Sequence, residues 1–524
     1  MTDLPRVTYS NTGEDFSGVH AHLDAIIPDA EARLLGKARP AFVGGCDRNE
    51  GTLKETRSPI DQDIILGEFP QADAALVDEA VNSARAAYPK WRDLGWARRI
   101  AILRAGARVL EQGKWDISIA CLIEVGKSRL EAVGEVEEAI DLIGHYCDEM
   151  ERSGGFREER GGASSAERCI VELRPYGVFA VIAPFNFPVA LSVGMISAAL
   201  ITGNTVVFKP SDASGLTGRL VVDALVAGGL PDGVLNLVQG GRETGEAMVN
   251  HQRIDGFAFT GSNAVGMSIM RAAASVQAMR PVLCEMGGKN PAFITSSADL
   301  TAAVSGVARS AFGLSGQKCS ALSKVYVARA MADRFLDALA DTTHKLAVGD
   351  PRRADVFMGP VISDEALGRF TKACVDAASA GQILVGGQPL EGGLFDCGPY
   401  AAPTIVSGLP SDHRINRDEL FAPFLSVLEF DDLDDAIADA NRSAFGLTSG
   451  IYTQDKHELD RFLNTIEAGV LYANRASGAT TGAWPGFQTF CGWKGSGTTG
   501  KGGLGSWYVP QFMREQSHTL FEAL

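Results

Sequence analysis

Between residues 72 and 112 apolar positions recur three and four apart in an alanine-rich stretch, the period of a helix with one buried face. Asp73 or Asp78 is placed to cap this helical region, and Gly113 to close it. From 126 to 150 the pattern repeats, with Glu131, Glu135 and Glu137 interleaved among Ile140, Leu142 and Ile143, and predicts another helix. Residues 152–168, rich in Gly, Ser, Glu and Arg, break the period and predict a protruding hairpin. Short apolar runs then alternate with helical ones. Strands are expected over 178–183, 205–209, 234–238 and 254–259, and helices over 189–202, 215–227 and 245–250. Such alternation means a parallel sheet with right-handed crossovers. A second α/β half is expected from about residue 284, with strands over 292–294, 325–327, 383–385 and 425–428, and a β-like run near the tail.

A chain of 524 residues exceeds what one hydrophobic core sustains, about 250–300 residues, so more than one domain is expected. With 45% hydrophobic and 21% charged residues the composition is that of a globular protein. The net charge of −16 repels phosphate backbones and argues against nucleic acid as a partner. The most apolar stretch, 178–208, contains Pro184, Asn186, Pro188, Gly194 and Gly203, which argues against a membrane span. Nine cysteines at irregular spacing, none in a CxxC pair, point to reduced thiols, no metal site and a cytoplasmic location. A basic start followed by an apolar run is absent, so no signal peptide is expected.

Chemistry concentrates in a few segments: 181–188 (VIAPFNFP), 206–212 (VVFKPSD), 259–266 (FTGSNAVG), 285–291 (EMGGKNP) and 316–320 (GQKCS). A lone cysteine is most often a small buried hydrophobe, and Cys284, between Leu283 and Glu285, keeps that reading. Cys319 sits among Gly316, Gln317, Lys318 and Ser320, company unsuited to a core strand, and is the candidate nucleophile. Taken alone, Asn186 between two Phe and two Pro reads as a turn former, and Glu285 as a surface or capping glutamate.

Taken together and in this order, the segments resemble the aldehyde dehydrogenase superfamily over roughly residues 40 to 515. The resemblance implies an α/β, aldehyde-dehydrogenase-like fold. It comprises a Rossmann-type dinucleotide domain, an α/β catalytic domain and a small β oligomerisation part. The matching boundaries are an arm over 1–44, an NAD-binding domain over 45–155 and 173–283, and a catalytic domain over 284–477. An oligomerisation hairpin, anchor loop and tail cover 156–172 and 478–524. It further implies oxidation of an aldehyde through a thioester on Cys319. Asn186 and the Cys319 backbone N–H would stabilise the oxyanion, and Glu285 would be the base that activates the hydrolytic water.

No GxGxxG follows the first strand, so the usual dinucleotide fingerprint is missing, as it is in this superfamily. The resemblance assigns cofactor binding to Ile182, Lys209, Asp212, Gly261, Ser262, Glu419 and Phe421. A carboxylate at Asp212 would accept ribose hydroxyls and repel a 2′-phosphate, which favours NAD over NADP.

Within the superfamily the chain most resembles the 1-pyrroline-5-carboxylate (L-glutamate γ-semialdehyde) dehydrogenases. The long arm, the stretch 124–137 (EVGKSRLEAVGEVE), the PFNFP at 184–188 and the GQKCS at 316–320 carry this. That resemblance implies a carboxylate cradle of Ser320, Gly478 and Ala479. Phe187 and Phe490 would flank the substrate's methylenes, and Lys318 would lie beside them. A departure lies at 483–491, where Ala483-Trp484-Pro485-Gly486 is extra and Thr489-Phe490-Cys491-Gly492 replaces the group's Pro-Phe-Gly-Gly. Trp484 reads as core or as lining for a wider mouth, and another aliphatic or aromatic aldehyde is the alternative substrate. A small-molecule aldehyde partner and a homo-oligomer are expected. A non-catalytic binding protein on the same scaffold is the remote alternative.

Overall fold

The computed structural model describes residues 4–164, 166–477 and 480–521. The helical region of 72–112 resolves into two helices, Ala74–Asp93 and Trp96–Gln112, separated by Gly95 at φ 84°. Asp73 caps the first, its carboxylate accepting the Leu76 N–H at 2.9 Å, and Gly113 ends the second. The helix expected from residue 126 begins at Arg129 and runs to Arg152. Gly126, left-handed at φ 72°, instead terminates a preceding helix, Lys114–Val125, as a residue without Cβ can do.

Two seven-stranded sheets form the body. The first comprises β1 (Ala41–Val43), β2 (Cys46–Arg48), β3 (Val178–Ile182), β4 (Thr205–Lys209), β5 (Leu235–Leu237), β6 (Gly256–Gly261) and β7 (Val282–Met286). Its spatial order is β7-β6-β3-β4-β5-β1-β2, parallel from β7 to β5 with an antiparallel edge supplied by the N-terminal region. Both faces are covered, which explains the continuous apolar runs. Phe179, Val181, Val206 and Phe208 face the helices Ala190–Ile201 and Gly215–Ala227. Val178, Ala180 and Val207 face Leu76, Val77 and Ala80 of the helix Ala74–Asp93. Each such side chain, fully buried, contributes roughly 1.5–3 kcal/mol.

The second sheet comprises β8 (Asn290–Ile294), β9 (Leu322–Ala328), β10 (Gln382–Val385), β11 (Thr404–Ser407), β12 (Phe424–Phe430), β13 (Thr448–Tyr452) and β14 (Val470–Ala473), in the order β10-β11-β12-β9-β8-β13-β14. All the expected strands are there, and β11, β13 and β14 are added. In β13 the Ser and Gly residues hide the strand pattern; a Cβ at Gly450 would lie 2.2 Å from the Tyr472 ring of β14. The chain passes from one sheet to the other at residues 287–289.

The Gly-rich break forms the expected hairpin, Arg157–Gly161 with Glu167–Pro175, and the tail strand Met513–Phe521 pairs antiparallel alongside. The arm packs Val7 and Phe16 into the main core and forms the helix Ser17–Leu34. Among the described residues no helix is long and apolar enough to cross a membrane, and no group of side chains has the makings of a metal site. All nine cysteines are free thiols.

Candidate active site

In the first sheet, β3, β4 and β5 progress to one side while β6 and β7 lie on the other. The strand order therefore reverses between β3 and β6. Ligands of open α/β sheets bind in the crevice at the carboxyl ends of strands flanking such a switch. Ile182 ends β3, Lys209 ends β4 and Gly261 ends β6, all at that edge. Ser262 caps the helix Asn263–Ala274, accepting the Val265 N–H at 3.4 Å, so the positive end of this helix points into the same region. Lys209 is buried, and its ammonium donates to the Pro210 and Gly240 carbonyls at 2.9 and 2.7 Å. Burial brings its pKa down to about 8 against the pull of Asp212. Asp212 is exposed and pairs with Lys54 at 3.1 Å, a cation that the sequence motif did not reveal.

Glu419 accepts the Gly288 N–H at 2.9 Å. Burial pushes its carboxyl up to about 7. A Cβ at Gly287 would lie 2.0 Å from its carboxylate, so the Gly287-Gly288 pair is needed for Glu419 to come this close. Phe421 adopts φ 53° and meets Phe185 edge-on at 5.9 Å. Glu419 retains acceptor capacity for hydroxyl donors, and the helix end and glycine-lined crevice suit a pyrophosphate. The residues present therefore fit a dinucleotide.

Cys319 follows a turn in which Leu314, Ser315 and Gly316 are successively left-handed, at φ 49°, 54° and 66°. The Ser315 hydroxyl donates to the Gly359 carbonyl at 2.7 Å and holds this costly conformation. A Cβ at Gly316 would meet the Ala422 carbonyl at 2.2 Å. Asn290 donates to the Cys319 carbonyl at 2.6 Å and to the Ala321 carbonyl at 2.8 Å, fixing the Cys319 loop to the start of β8.

A cavity of about 340 Å³ brings together Cys319, Glu285, Phe187, Lys318, Ser320 and Phe490. Burial, then the Glu419 and Glu285 carboxyls, push the Cys319 thiol up to about 12. Burial pushes Glu285 well above the ordinary carboxylate range, with only the Gly492 N–H acting against it, and its Oε2 is unpartnered. Asn186 is buried, and its amide donates to the Gln317 carbonyl at 2.9 Å, two residues before Cys319. The cofactor candidates lie outside this cavity. Gly478 and Ala479 lie outside the described residues.

Several residues around the cavity were missed in the sequence. Glu131 pairs with the expected Lys318 at 2.9 Å. Burial works to raise the Glu131 carboxyl, but Lys318, Lys127 and Ser128 hold it below its usual range. Lys127 pairs with Glu135 and places its ammonium 3.6 Å from the centre of the Phe187 ring. Thr480, whose Oγ1 is buried and unpartnered, also lines the cavity. Trp484 is core: its indole donates to Asp141 at 2.8 Å, and its ring meets Tyr9 of the arm at 5.4 Å.

The model of the aldehyde dehydrogenase family matches residues 46–517. The chain belongs to the aldehyde dehydrogenase family. It is 33% identical over 474 residues to a 1-pyrroline-5-carboxylate dehydrogenase of Bacillus subtilis, covering 90% of each chain. It is 34% identical over 446 residues to an alpha-ketoglutaric semialdehyde dehydrogenase of the same organism, covering 83% of this chain and 89% of the relative. The structure of a Thermus 1-pyrroline-5-carboxylate dehydrogenase with bound NAD superimposes with a TM-score of 0.92 at 30% identity, covering 99% of this chain and 100% of that one. The fold expected from the sequence is thus that of the aldehyde dehydrogenases.

Proposed function

We propose that this aldehyde dehydrogenase oxidises L-glutamate γ-semialdehyde to glutamate with NAD. The single observation that carries the reading is the shared cavity of Cys319, Glu285, Lys318, Ser320 and two phenylalanines. It unites a nucleophile, a base and a polar end across an apolar middle. The 1-pyrroline-5-carboxylate dehydrogenase relatives support the substrate choice.

Cys319 adds to the aldehyde carbon, forming a C–S bond and a negative oxygen. A donor at Asn186 and the Cys319 N–H would stabilise that oxygen, each typically contributing about 2.7–4 kcal/mol to the barrier. For Asn186 this requires its amide to exchange the Gln317 carbonyl for the substrate oxygen. Ile182, Lys209, Asp212, Gly261, Ser262, Glu419 and Phe421 would hold NAD, which would supply a hydride acceptor and a positive ring that favours the thiolate. Collapse of the oxygen lone pair re-forms the C=O bond, expels the carbon's hydrogen as hydride to that acceptor and leaves a thioester on Cys319. Glu285, with its proton affinity raised by burial, takes a proton from water as the water attacks that thioester. Ser320, Gly478 and Ala479 hold the substrate carboxylate, and Phe187 and Phe490 keep bulk water from its methylenes.

The division into arm, dinucleotide domain, catalytic domain and oligomerisation part belongs to the same proposal, as do the homo-oligomer and the cytoplasmic location. A second reading, alpha-ketoglutaric semialdehyde, is favoured by the relative of that name. NADH release is measured with both semialdehydes, propanal and benzaldehyde, using wild type and Cys319→Ala. The expected result is the highest kcat/KM on glutamate semialdehyde and no turnover by the variant. Far faster turnover of a neutral aldehyde would overturn the substrate reading, and residual turnover by Cys319→Ala the nucleophile assignment.

A further inference from the structure

Among the described residues, Arg129, Arg309 and Lys318 are the cations that line the cavity. His20 lines it too, but burial and the Arg129 charge hold its pKa below the usual histidine range. Lys318 is paired with Glu131 at 2.9 Å. Arg129 pairs with Asp24 and donates to the Arg352 and His20 carbonyls at 2.7 and 3.1 Å. Arg309 is different. Its Nε is buried without a partner, and among the described residues no hydrogen bond or ion pair reaches its guanidinium. The acids of the cavity do not balance it. Glu131 is engaged with Lys318, and Asp355 turns to Arg353 at 2.9 Å. Burial pushes Glu138 up to about 8 and Glu285 well above the ordinary carboxylate range, so neither carries a full charge at pH 7.

Arg309 lies on the helix Leu300–Phe312, which leads into the Cys319 turn. Ser305, Arg309 and Gly313 follow at intervals of four and share one face. Toward Cys319, a Cβ at Gly313 would lie 2.6 Å from the Lys318 ammonium. At the other end, the Ser305 hydroxyl donates to the Ala476 carbonyl at 2.9 Å. Arg309 therefore stands between Lys318 and the segment 476–482, about 6 Å along the helix from Gly313. Its Cα–Cβ bond tilts toward the helix N-terminus, away from Cys319. The same segment brings Thr480 to the cavity. Thr480 is 2% exposed, and its Oγ1 has no partner. An unmatched guanidinium and an unmatched hydroxyl thus line one cavity on the side of Lys318 remote from Cys319.

We infer that Arg309 and Thr480 form an entry site for the carboxylate of an anionic aldehyde, separate from the cradle at Ser320. A guanidinium without a counter-charge and a buried hydroxyl without a partner are both unfavourable, and one carboxylate relieves both. The planar fork of Arg309 donates to the carboxylate oxygens, and the Thr480 hydroxyl donates to a remaining lone pair. Arginine keeps its charge at every working pH, so capture does not depend on protonation. The captured anion then moves inward along the cavity until its aldehyde reaches Cys319. The inference rests on the reading of this cavity as the site of a carboxylate-bearing semialdehyde and deepens it.

The test measures kcat/KM for glutamate semialdehyde, alpha-ketoglutaric semialdehyde and propanal in wild type, Arg309→Gln, Arg309→Lys and Thr480→Val. Both semialdehydes carry a carboxylate, and propanal has none. Arg309→Gln should lower the ratio of either semialdehyde to propanal roughly 5–50-fold. That is the lower part of the range for a hydrogen bond to a charged group, because Arg309 is only partly buried. The loss should lie in KM rather than kcat, and it should shrink as salt is raised from about 0.02 to about 0.5 M. Arg309→Lys keeps the charge and should recover most of the loss, and Thr480→Val should lower the ratio roughly 2–10-fold. A ratio within about twofold of wild type in Arg309→Gln, equal losses on all three aldehydes included, overturns the entry site. So does a loss confined to kcat, or one that Arg309→Lys does not recover. A wild type far faster on propanal overturns the substrate reading, while the change of ratio in Arg309→Gln still decides the entry site.

Discussion

The Cys319 thiol should be sluggish in the enzyme without cofactor. Burial and two carboxyls raise it from 9.0 to about 12. At pH 7 the thiolate fraction falls from about 10⁻² to about 10⁻⁵. A more basic thiolate is also more nucleophilic, with a Brønsted slope of roughly 0.4–0.5, which returns a factor of about 15–30. The net expectation is alkylation about 30–60-fold slower than that of an ordinary thiol. Iodoacetamide labelling of the NAD-free enzyme, followed peptide by peptide with mass spectrometry, measures this; the exposed Cys46 provides an internal comparison. Restricted access would slow the reaction equally at every pH. A raised pKa makes the rate climb about tenfold per pH unit past 9 without levelling. Labelling of Cys319 at neutral pH as fast as that of free cysteine, or a plateau below pH 9, would refute the reasoning.

Glu285→Gln should slow thioester hydrolysis more than hydride transfer, giving a burst of NADH and then a slow steady state. In wild type that hydrolytic step should accelerate as pH rises through the elevated Glu285 pKa, and stopped-flow traces slowed equally in both phases would exclude the base role. Ser320→Ala should lower kcat/KM for glutamate semialdehyde relative to propanal by roughly 10–150-fold, because propanal has no carboxylate to lose. Light scattering should report a species larger than the 55.5 kDa chain, with the strands Arg157–Gly161, Glu167–Pro175 and Met513–Phe521 as the contact element; a monomer at working concentration would exclude the oligomer.

The parallel strands of the first sheet were legible because both faces are buried, so Val178–Ile182 and Thr205–Lys209 read as unbroken apolar runs. The acids of Arg129–Arg152 were not. Glutamates interleaved with apolar residues showed only a helical period, yet Glu135 and Glu137 are at most 1% exposed. Their partners Lys127, Lys114 and Arg6 come from other elements, and a helical period carries no information about them. The placement of Tyr9 depends equally on contacts with Phe187 and Trp484, far away in sequence. Cys319, Glu285 and Asn186 were legible only as family motifs, since their meeting depends on how the two sheets are joined.

That joining explains why the chemistry sits where it does. Glu285 lies at the carboxyl end of β7 in the first sheet, whereas Asn290 opens β8 in the second, only a few residues later. Cys319 precedes β9, and β9 pairs with β8 from Asn290 onward, so the Cys319 loop lies at the amino edge of the second sheet. The chain therefore passes from the carboxyl edge of one parallel sheet to the amino edge of the other within 287–289, and Glu285 and Cys319 flank that passage. Only glycine satisfies its contacts, because a Cβ at Gly287 would strike Glu419 and one at Gly288 would come within 2.4 Å of Asn290. Asn290 in turn carries the Cys319 carbonyl, and the Gly288 N–H carries Glu419. Glu419 and Cys319 are thus tied to one short stretch of backbone, and a shift there would move both groups together.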